Sequence, residues 1–284
     1  MKVGRVVAVW FLVLCQAAWS EGLVRISGED TMIYIAQQCS RVYQRSHAGE
    51  STQFEIVGGN REKAAAALLN HQTDILQTKA PLAAALAGHS ERVTRVPIGV
   101  ESAVVYVNPA NPVTELSMEE LREVFTGKIA NWRQLGGADR PIHLFAGEST
   151  TGLEEFFEHM VLRGEEPAPF WGKSTAKALV DAVSADADAI GYASYYFSYA
   201  VRALSIRGAK GEKAVEPTPN NLRNRNYPIT RFLYWYLPAD ARPPVRAFAQ
   251  WMFSSNGQIA IESVGYMPLP PNERASALAA IARP

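Results

Sequence analysis

Hydrophobic positions along the chain alternate between the short runs typical of strands and the three- and four-residue spacing typical of helices. A strand-like run at Leu23 to Ser27 precedes apolar residues at helical spacing from Met32 to Tyr43. Strand-like runs return at Phe54 to Val57 and Asp74 to Gln77, separated by an Ala-rich helical segment at Lys63 to Leu69. This β-α-β-α-β order predicts a parallel sheet with helices on its faces.

A long apolar, β-branched segment from Val93 to Val107 is expected to carry the chain out of a first lobe and into a second. Turn signals at Asn108-Pro109 and Asn111-Pro112 mark this crossing. Beyond it the pattern predicts the helices Glu119 to Phe125, Leu153 to Leu162, Ala176 to Val183 and Val245 to Ile261, and the strands Ile142 to Phe145, Ala189 to Ala193, Ala203 to Ile206 and Arg231 to Leu237. Residues 207–228 are predicted to form a loop, and the end after Pro271 a loose helical tail.

The beginning of the chain has the pattern of a cleavable secretory signal peptide. A basic start with Lys2 and Arg5 precedes an apolar run at 6–14, and the small residues Ala18 and Ser20 favour cleavage after position 20. The apolar run is short for a bilayer-spanning helix, which needs about 20 residues. An uncleaved N-terminal anchor is the alternative. We therefore expect a protein exported to the periplasm.

Two cysteines limit the covalent chemistry of the exported chain. If the signal is removed, Cys39 remains alone and no intrachain disulfide can form. Its apolar helical stripe favours a buried, inert thiol. A lipoprotein modified at Cys15 is an alternative, against which the bulky Leu14 argues.

The predicted organisation is a signal peptide at 1–20, a first lobe at 21–105 plus 230–284 and a second lobe at 106–229. Each lobe is expected to be an α/β unit with a mainly parallel sheet flanked by helices. A chain of 284 residues, 48% of them hydrophobic, is long enough to bury a substantial core. The formal net charge is +0. Because there is no basic excess, the composition does not favour binding to nucleic acid or to a membrane surface.

Three predicted turns each follow a strand and open a helix. They are Gly28-Glu29-Asp30-Thr31, Gly58-Gly59-Asn60-Arg61 and Ser149-Thr150-Thr151-Gly152. Helix N-termini present unpaired N–H groups and the positive end of the helix dipole, which suit anions. Structural interpretations stay open: Asp30 or Thr31 as an ordinary N-cap, Gly58-Gly59 as a tight turn, and Thr151 with Glu154 as a capping box. If the turns converge on one cleft, they form an oxyanion site.

Signals for catalysis or for a metal are weak. The five histidines show no metal-ligand spacing, and Gly172-Lys173-Ser174 does not complete a phosphate-binding P-loop. A phosphatase-like hydrolase needs a nucleophile with a base or a metal cluster, and the sequence suggests neither. The aromatic run from Tyr192 to Tyr199 is more typical of core packing than of a cleft lining. We expect no enzyme activity, no cofactor and no metal.

Sequence blocks in the middle and the last third of the chain carry a family resemblance. They lie at 107–112, 121–129, 131–132, 135–137, 140–142, 190–193, 254–258 and 265–269. The block from Val124 to Trp132 is specific, and together the blocks resemble the periplasmic phosphate-binding proteins of ABC-type phosphate importers. This resemblance implies a Venus-flytrap fold, in which two lobes close on an anion and deliver it to a permease in the inner membrane. It also implies a monomer.

The turns depart from the family pattern at several positions. Gly28 and Thr31 match the first turn, Arg61 stands where the family has a ligand-binding Ser, and Lys79 replaces an Asp that accepts the phosphate proton. Gly147 replaces an Arg that precedes the third turn. The predicted ligand contacts are Thr31, Arg61, Lys79, Thr150, Thr151 and Gly152.

Two interpretations of these changes remain open. Without the Asp acceptor, Lys79 and Arg61 would favour a fully ionised anion such as sulfate or a carboxylate. Alternatively, both cations pair with Glu29 and Asp30, and the site is neutralised from within. The second case predicts a sensor or interaction protein that kept the fold and lost or changed its ligand.

Overall fold

A computed structural model describes most of the chain that follows the predicted signal peptide. The described residues are 22–82, 85–86, 88–89, 91–147, 152–169, 171–173, 175–208 and 211–282. The predictions for 1–20, Thr150 and Thr151 lie outside them. Within the described part, no helix combines the length and the apolar character needed to cross a membrane.

The first sheet is built from two distant segments of the chain. Its strands are β1 (Leu23–Glu29), β2 (Gln53–Gly59), β3 (Ile75–Thr78), β4 (Val93–Ser102) and β12 (Thr230–Pro238). Their order is β2-β1-β3-β12-β4. β1 pairs in parallel with β2 and β3, whereas β12 lies antiparallel between β3 and β4. The sheet is therefore mainly parallel, as predicted.

The second sheet repeats this design with the middle of the chain. Its strands are β5 (Val104–Val107), β7 (His143–Gly147), β8 (Trp171–Lys173), β9 (Ala189–Ala193) and β10 (Arg202–Ala203). Their order is β10-β5-β9-β7-β8. β5 runs antiparallel to both of its neighbours, β10 and β9, whereas β7 pairs in parallel with β8 and β9. The same part of the chain also forms a separate two-stranded parallel sheet, in which β6 (Glu115–Ser117) pairs with β11 (Ser205–Arg207). Two α/β layers of this kind confirm the predicted fold class.

Helices complete the two lobes, which we define by the two sheets. The first-lobe helices are α1 (Ile33–Ser46), α2 (Arg61–Leu69), α7 (Pro243–Met252), α8 (Ser255–Glu262) and α9 (Pro271–Ile281). The helices between the first and last strands of the second sheet are α3 (Met118–Phe125), α4 (Leu153–Phe157) and α5 (Ala176–Ala185). The first-sheet strands fall within 21–105 and 230–284, and β5 begins just before the predicted boundary at 106. The boundaries themselves stay a prediction.

One helical prediction was wrong in detail, and another is confirmed with a change of helix type. The helix predicted at Val245 to Ile261 is two helices, because the Ser254 hydroxyl accepts a bond from the Gly257 N–H at 3.2 Å and starts α8. The helix predicted to reach Leu162 changes after Phe157 into a π-helical turn, Glu158–Leu162. The Ser254 cap thus divides a segment whose apolar period looks continuous.

The C-terminal predictions also need correction. The predicted loop at 207–228 contains a short helix, α6 (Pro219–Arg223), which Thr218 caps through the Asn221 N–H at 3.2 Å. The tail after Pro271 is not loose, because α9 packs against β4 and buries Ala277 and Ile281. Both elements therefore belong to the packed structure.

The chain crosses between the sheets twice, and the two crossings lie side by side. β4 ends at Ser102 and β5 begins at Val104, so the predicted segment from Val93 to Val107 serves both sheets. The N–H of Ala103 donates to the carbonyl of Ile229 at 3.1 Å, where the chain returns to the first sheet. We call these adjacent segments, 102–104 and 229–230, the crossover.

Burial confirms two interpretations of single residues. Cys39 is 0% exposed, and this burial raises the pKa of its thiol, as expected for an inert core cysteine. Tyr192 stacks on Phe157 with ring centroids 3.7 Å apart, which is core packing. The tyrosine run is not wholly internal, because Tyr196 in the second lobe donates to Glu262 of α8 at 3.1 Å.

Candidate anion-binding cleft

The first turn follows β1 without an ordinary helix cap. One turn of 3₁₀ helix, Asp30–Met32, leads into α1, and the cap positions are Glu29 and Met32, neither with a side-chain cap bond. The interpretation of Asp30 or Thr31 as an N-cap was therefore wrong. Gly28 has a φ of +148°, and a Cβ there would lie 2.0 Å from the carbonyl oxygen of Gln77. Only glycine lets β1 approach β3 so closely at this turn.

The second turn is capped by Asn60. Its side-chain oxygen accepts bonds from the N–H groups of Glu62 and Lys63 at 2.9 and 3.1 Å. Gly58 lies directly beside the first turn, since a Cβ there would be 2.1 Å from the Asp30 carboxylate. Arg61 donates from Nε to Glu62 at 2.8 Å, and this bond raises the pKa of its guanidinium. The first two turns thus form one continuous surface.

Gly152, the described residue of the third turn, meets the first turn from the opposite lobe. Gly152 is the N-cap of α4, with a left-handed φ of +71°. A Cβ on Gly152 would lie 3.2 Å from the methyl carbon of Thr31, so the lobes touch at this point. Gly152 holds the cap position of α4. The capping box assigned to Thr151 and Glu154 stays a prediction, because Thr151 lies outside the described residues.

A cleft of about 470 Å³ lies where the first two turns meet Gly152. It is lined by Glu29, Asp30, Thr31, Gly59, Asn60, Arg61, Glu62, Lys79, Ala80, Gly152, Glu155 and Arg231. The structure therefore brings together four of the predicted contacts, namely Thr31, Arg61, Lys79 and Gly152. Thr150 and Thr151 lie outside the described residues.

Lys79 forms a buried ion pair at the floor of this cleft. Its ammonium lies 2.8 Å from Glu101, and both side chains are 3% exposed. The ammonium also contacts the Tyr266 hydroxyl at 3.3 Å. Burial lowers the pKa of Lys79, and the Glu101 charge opposes this shift. The ion pair expected between Lys79 and Glu29 or Asp30 is thus replaced by one with a residue of β4.

Sequence analysis missed Glu101 and Arg231. Arg231 donates from Nε to Glu101 at 2.6 Å, and its terminal nitrogen lies 2.5 Å from the same oxygen. The two residues face each other in the β12–β4 register. Opposite charges on the two apolar strands beside the crossover were the available signal, because a charge inside a buried strand needs a partner.

Glu29 places a carboxylate beside the cations of the cleft. Its Oε1 accepts a bond from the Thr78 hydroxyl at 2.5 Å and from the Lys79 N–H at 3.3 Å. The same oxygen lies 4.0 Å from Arg61. The predicted pairing of Arg61 with Glu29 is therefore present as a long contact, next to the shorter one with Glu62.

This arrangement suits recognition by charge and hydrogen bonding. Among the described residues that line the cleft, charged and hydrogen-bonding side chains predominate, and none is a histidine, cysteine or serine. A separate group, His143 with Asp186 and Asp188, has ligand-type atoms close together in the second lobe. Asp186 contacts His143 at 2.7 Å and Asp188 contacts Arg140 at 2.8 Å, so each carboxylate has a protein partner.

Comparison with known families agrees with this geometry. A family model described as a PBP superfamily domain matches residues 16–256, most of the chain. The chain belongs to the PBP superfamily. The family resemblance inferred from the sequence blocks is thereby confirmed.

Curated relatives of this PBP include two bacterial proteins named phosphate-binding protein PstS. The one from Bacillus subtilis is 31% identical over 175 residues, which cover 61% of this chain and 56% of the relative. The one from Pseudomonas aeruginosa is 25% identical over 276 residues, covering 90% of this chain and 85% of the relative. The chain thus spans about half of one relative and most of the other.

Solved structures show the same PBP fold. An ABC-type phosphate transport receptor from Vibrio cholerae has a TM-score of 0.74 with 23% identity, covering 88% of this chain and 100% of that chain. PstS from Borrelia burgdorferi has a TM-score of 0.72 with 18% identity, covering 87% of this chain and 99% of that chain. At these identities the likeness supports the two-lobe architecture.

Proposed function

We propose that this protein captures phosphate or a similar oxyanion between its two lobes and delivers it to an ABC-type permease in the inner membrane. One observation carries the proposal: Thr31, Arg61 and Gly152, which belong to the three turns and come from both lobes, line a single cleft together with Arg231. Helix N-termini and guanidinium groups are the donors that oxyanions prefer. The names of the curated relatives support phosphate as the first ligand to test.

The proposed contacts come from both lobes. Thr31 and Arg61 act from the first lobe, with Lys79 at the floor, and Thr150, Thr151 and Gly152 act from the second. Arg61 is the most accessible cation of this set, with its side chain 42% exposed against 3% for Lys79. We therefore expect Arg61 to make more of the direct contacts with the anion. Lys79 is expected to act through its backbone and through its ion pair with Glu101.

The rest of the proposal follows from the same site. A stoichiometric ligand without turnover fits a lining of threonine, asparagine and charged groups, so we propose a binding protein and no enzyme. Export through the predicted signal peptide places it in the periplasm, where a monomer would meet its permease. No cofactor is needed for this task.

Isothermal titration of the protein, stripped of ligand by reversible unfolding, tests the proposal. Phosphate is titrated first and sulfate second, with the Arg61→Ala, Lys79→Ala double variant as comparison. We expect one-to-one binding of phosphate and a large loss in the variant. Unchanged affinity in the variant would overturn the assigned contacts, and no heat with either anion would overturn the transport role.

A second candidate function has its own support. Each cation of the cleft has a protein carboxylate nearby: Glu101 for Lys79 and Arg231, and Glu62 with Glu29 for Arg61. A cleft neutralised in this way suits a sensor or interaction protein that has lost or changed its ligand. Such a protein would give no heat with phosphate or sulfate and would bind a protein partner instead.

A further inference from the structure

Arg231 stands at the crossover, where the first lobe joins the second. It is the second residue of β12, and it pairs in register with Glu101, the penultimate residue of β4. The neighbouring pair, Thr230 with Ser102, is the end pair of the β12–β4 register and already belongs to the crossover. A side chain at this place is fixed to the first lobe and lies close to the axis about which the lobes move in a hinge closure.

Glu101 holds the Arg231 guanidinium in one orientation. Its two oxygens are divided between Lys79 on one side and Arg231 on the other, and Glu101 itself is 3% exposed. One carboxylate between two cations leaves a net positive charge. Arg231 is the more accessible of the two cations, with 23% of its side chain exposed, so its guanidinium faces the cleft, which is also lined by the carboxylates of Glu29, Asp30, Glu62 and Glu155.

The same guanidinium reaches the second lobe. A terminal nitrogen donates to the carbonyl oxygen of Gly152 at 3.5 Å, and the central carbon lies 4.2 Å from the ring centroid of Phe156. Phe156 is 1% exposed and therefore part of the second-lobe core. A guanidinium over an aromatic face is attracted by the ring quadrupole, most strongly where water is excluded.

We propose that Arg231 is an interlobe clamp that also binds the captured anion. Held by Glu101, it draws the start of α4 towards the first lobe through Gly152 and Phe156. A guanidinium has five N–H donors, and these contacts use Nε and one terminal nitrogen, so the donors on the other terminal nitrogen serve the ligand. The ligand contact rests on the proposed function, whereas the clamp acts with or without a ligand.

Small-angle X-ray scattering of the ligand-free protein tests the clamp. Arg231→Gln removes the charge, and Arg231→Lys keeps the charge but loses the planar group that spans Glu101 and Phe156. Arg25→Gln is the matched control, because Arg25 is similarly buried at 17% exposure and pairs with Asp74 at 3.1 Å inside the first lobe. Both Arg231 variants are expected to have a larger radius of gyration than wild type, and Arg25→Gln an unchanged one.

Titration with inorganic phosphate and with sulfate separates the ligand contact from closure. For an anion that binds the wild type, we expect Arg231→Gln to lose about tenfold or more in affinity, and Arg231→Lys to lose less. A simple loss of stability would move Arg25→Gln in the same way, so thermal unfolding of all three variants accompanies the titration.

The outcomes are distinct. Scattering of ligand-free Arg231→Gln identical to wild type would overturn the clamp, even if its affinity fell. Equal affinity in wild type and Arg231→Gln would overturn the ligand contact. If the wild type binds neither anion, the proposed function fails, but the ligand-free scattering still decides whether Arg231 holds the lobes together.

Discussion

Two clusters in the first lobe use the same chemistry at opposite ends of its sheet. The cleft triad is Lys79–Glu101–Arg231, and the back triad is Arg25–Asp74–Arg242. In the back triad Asp74 lies 3.1 Å from each arginine. Arg242 also donates to the carbonyl of Leu23 at 2.6 Å, so the triad ties β1, the approach to β3 and the start of α7.

The difference between the triads lies in what their arginines reach. Both arginines of the back triad contact one lobe, so its interactions stabilise that lobe in any open or closed arrangement. Arg231 contacts both lobes, and its interactions change when the lobes move. The same ionic motif is therefore structural at one end of the sheet and coupled to closure at the crossover.

Removing the shared carboxylate of the cleft triad is expected to have the largest effect. Glu101→Gln leaves Lys79 and Arg231 close together without a counter-charge, at a cost of about 3–5 kcal/mol in the free energy of unfolding. Urea unfolding measures this cost, and titration measures the accompanying loss of phosphate binding. Glu115→Gln is the control, because its ion pair with Arg207 is half exposed and worth about 0–1 kcal/mol. Wild-type stability in Glu101→Gln would show that the buried pair is not ionic.

The corresponding change in the back triad should cost stability alone. Asp74→Asn weakens charge-assisted bonds from Arg25 and Arg242, which we expect to lower the free energy of unfolding by about 1–3 kcal/mol. Phosphate affinity and ligand-free scattering should equal those of the wild type. A fall in affinity at unchanged concentration of folded protein would break the distinction between the two triads.

Acid should weaken the back triad in a defined direction. Burial of Asp74 favours its protonated form, but the bonds from Arg25 and Arg242 outweigh burial and hold the pKa below the ordinary 3.8. Because the folded pKa is the lower one, this stabilisation is complete above the ordinary value and is lost as pH falls through the folded pKa. The stability difference between wild type and Asp74→Asn should therefore shrink below pH 3.8, as urea unfolding at a series of pH values would show. A stability difference between the two proteins that stays constant down to about pH 2 would contradict the lowered pKa of Asp74.

A smaller effect is expected where the lobes touch. Gly152→Ala and Gly136→Ala both place a side chain at positive φ, +71° and +80°, at a cost of about 1 kcal/mol each. Only the Cβ at Gly152 meets the opposite lobe, 3.2 Å from the Thr31 methyl, whereas the one at Gly136 meets nothing within 4 Å. We expect weaker phosphate binding in Gly152→Ala alone. Equal affinities in the two variants would show that this contact does not limit closure.

Much of the fold was predictable because its signals are local. Short apolar runs marked the strands of the first sheet and most strands of the second, and turn residues marked the helix starts beside the cleft. The strand Trp171–Lys173 was missed because three residues carry no measurable period. The break at Ser254 was missed because a cap is one side-chain bond inside an otherwise continuous apolar stripe.

The candidate site was predictable only in part. Thr31, Arg61, Lys79 and Gly152 line one cleft, as the turns suggested. The roles of these residues were not predictable, because Lys79 is buried against Glu101, and the more accessible cation paired with Glu101 is Arg231. That partner choice depends on which strands are neighbours, which a local pattern does not contain.

By itself, the sequence determined a two-lobe α/β chain with three helix-opening turns, since periodicity and turn chemistry act between residues close in the chain. Only the tertiary structure decided which charges meet. Arg231 and Glu101 are 130 residues apart, and the β12–β4 register brings them together at the crossover. A buried charge is stable only beside its partner, so the folded arrangement decides which cation faces the ligand and which stays in the core.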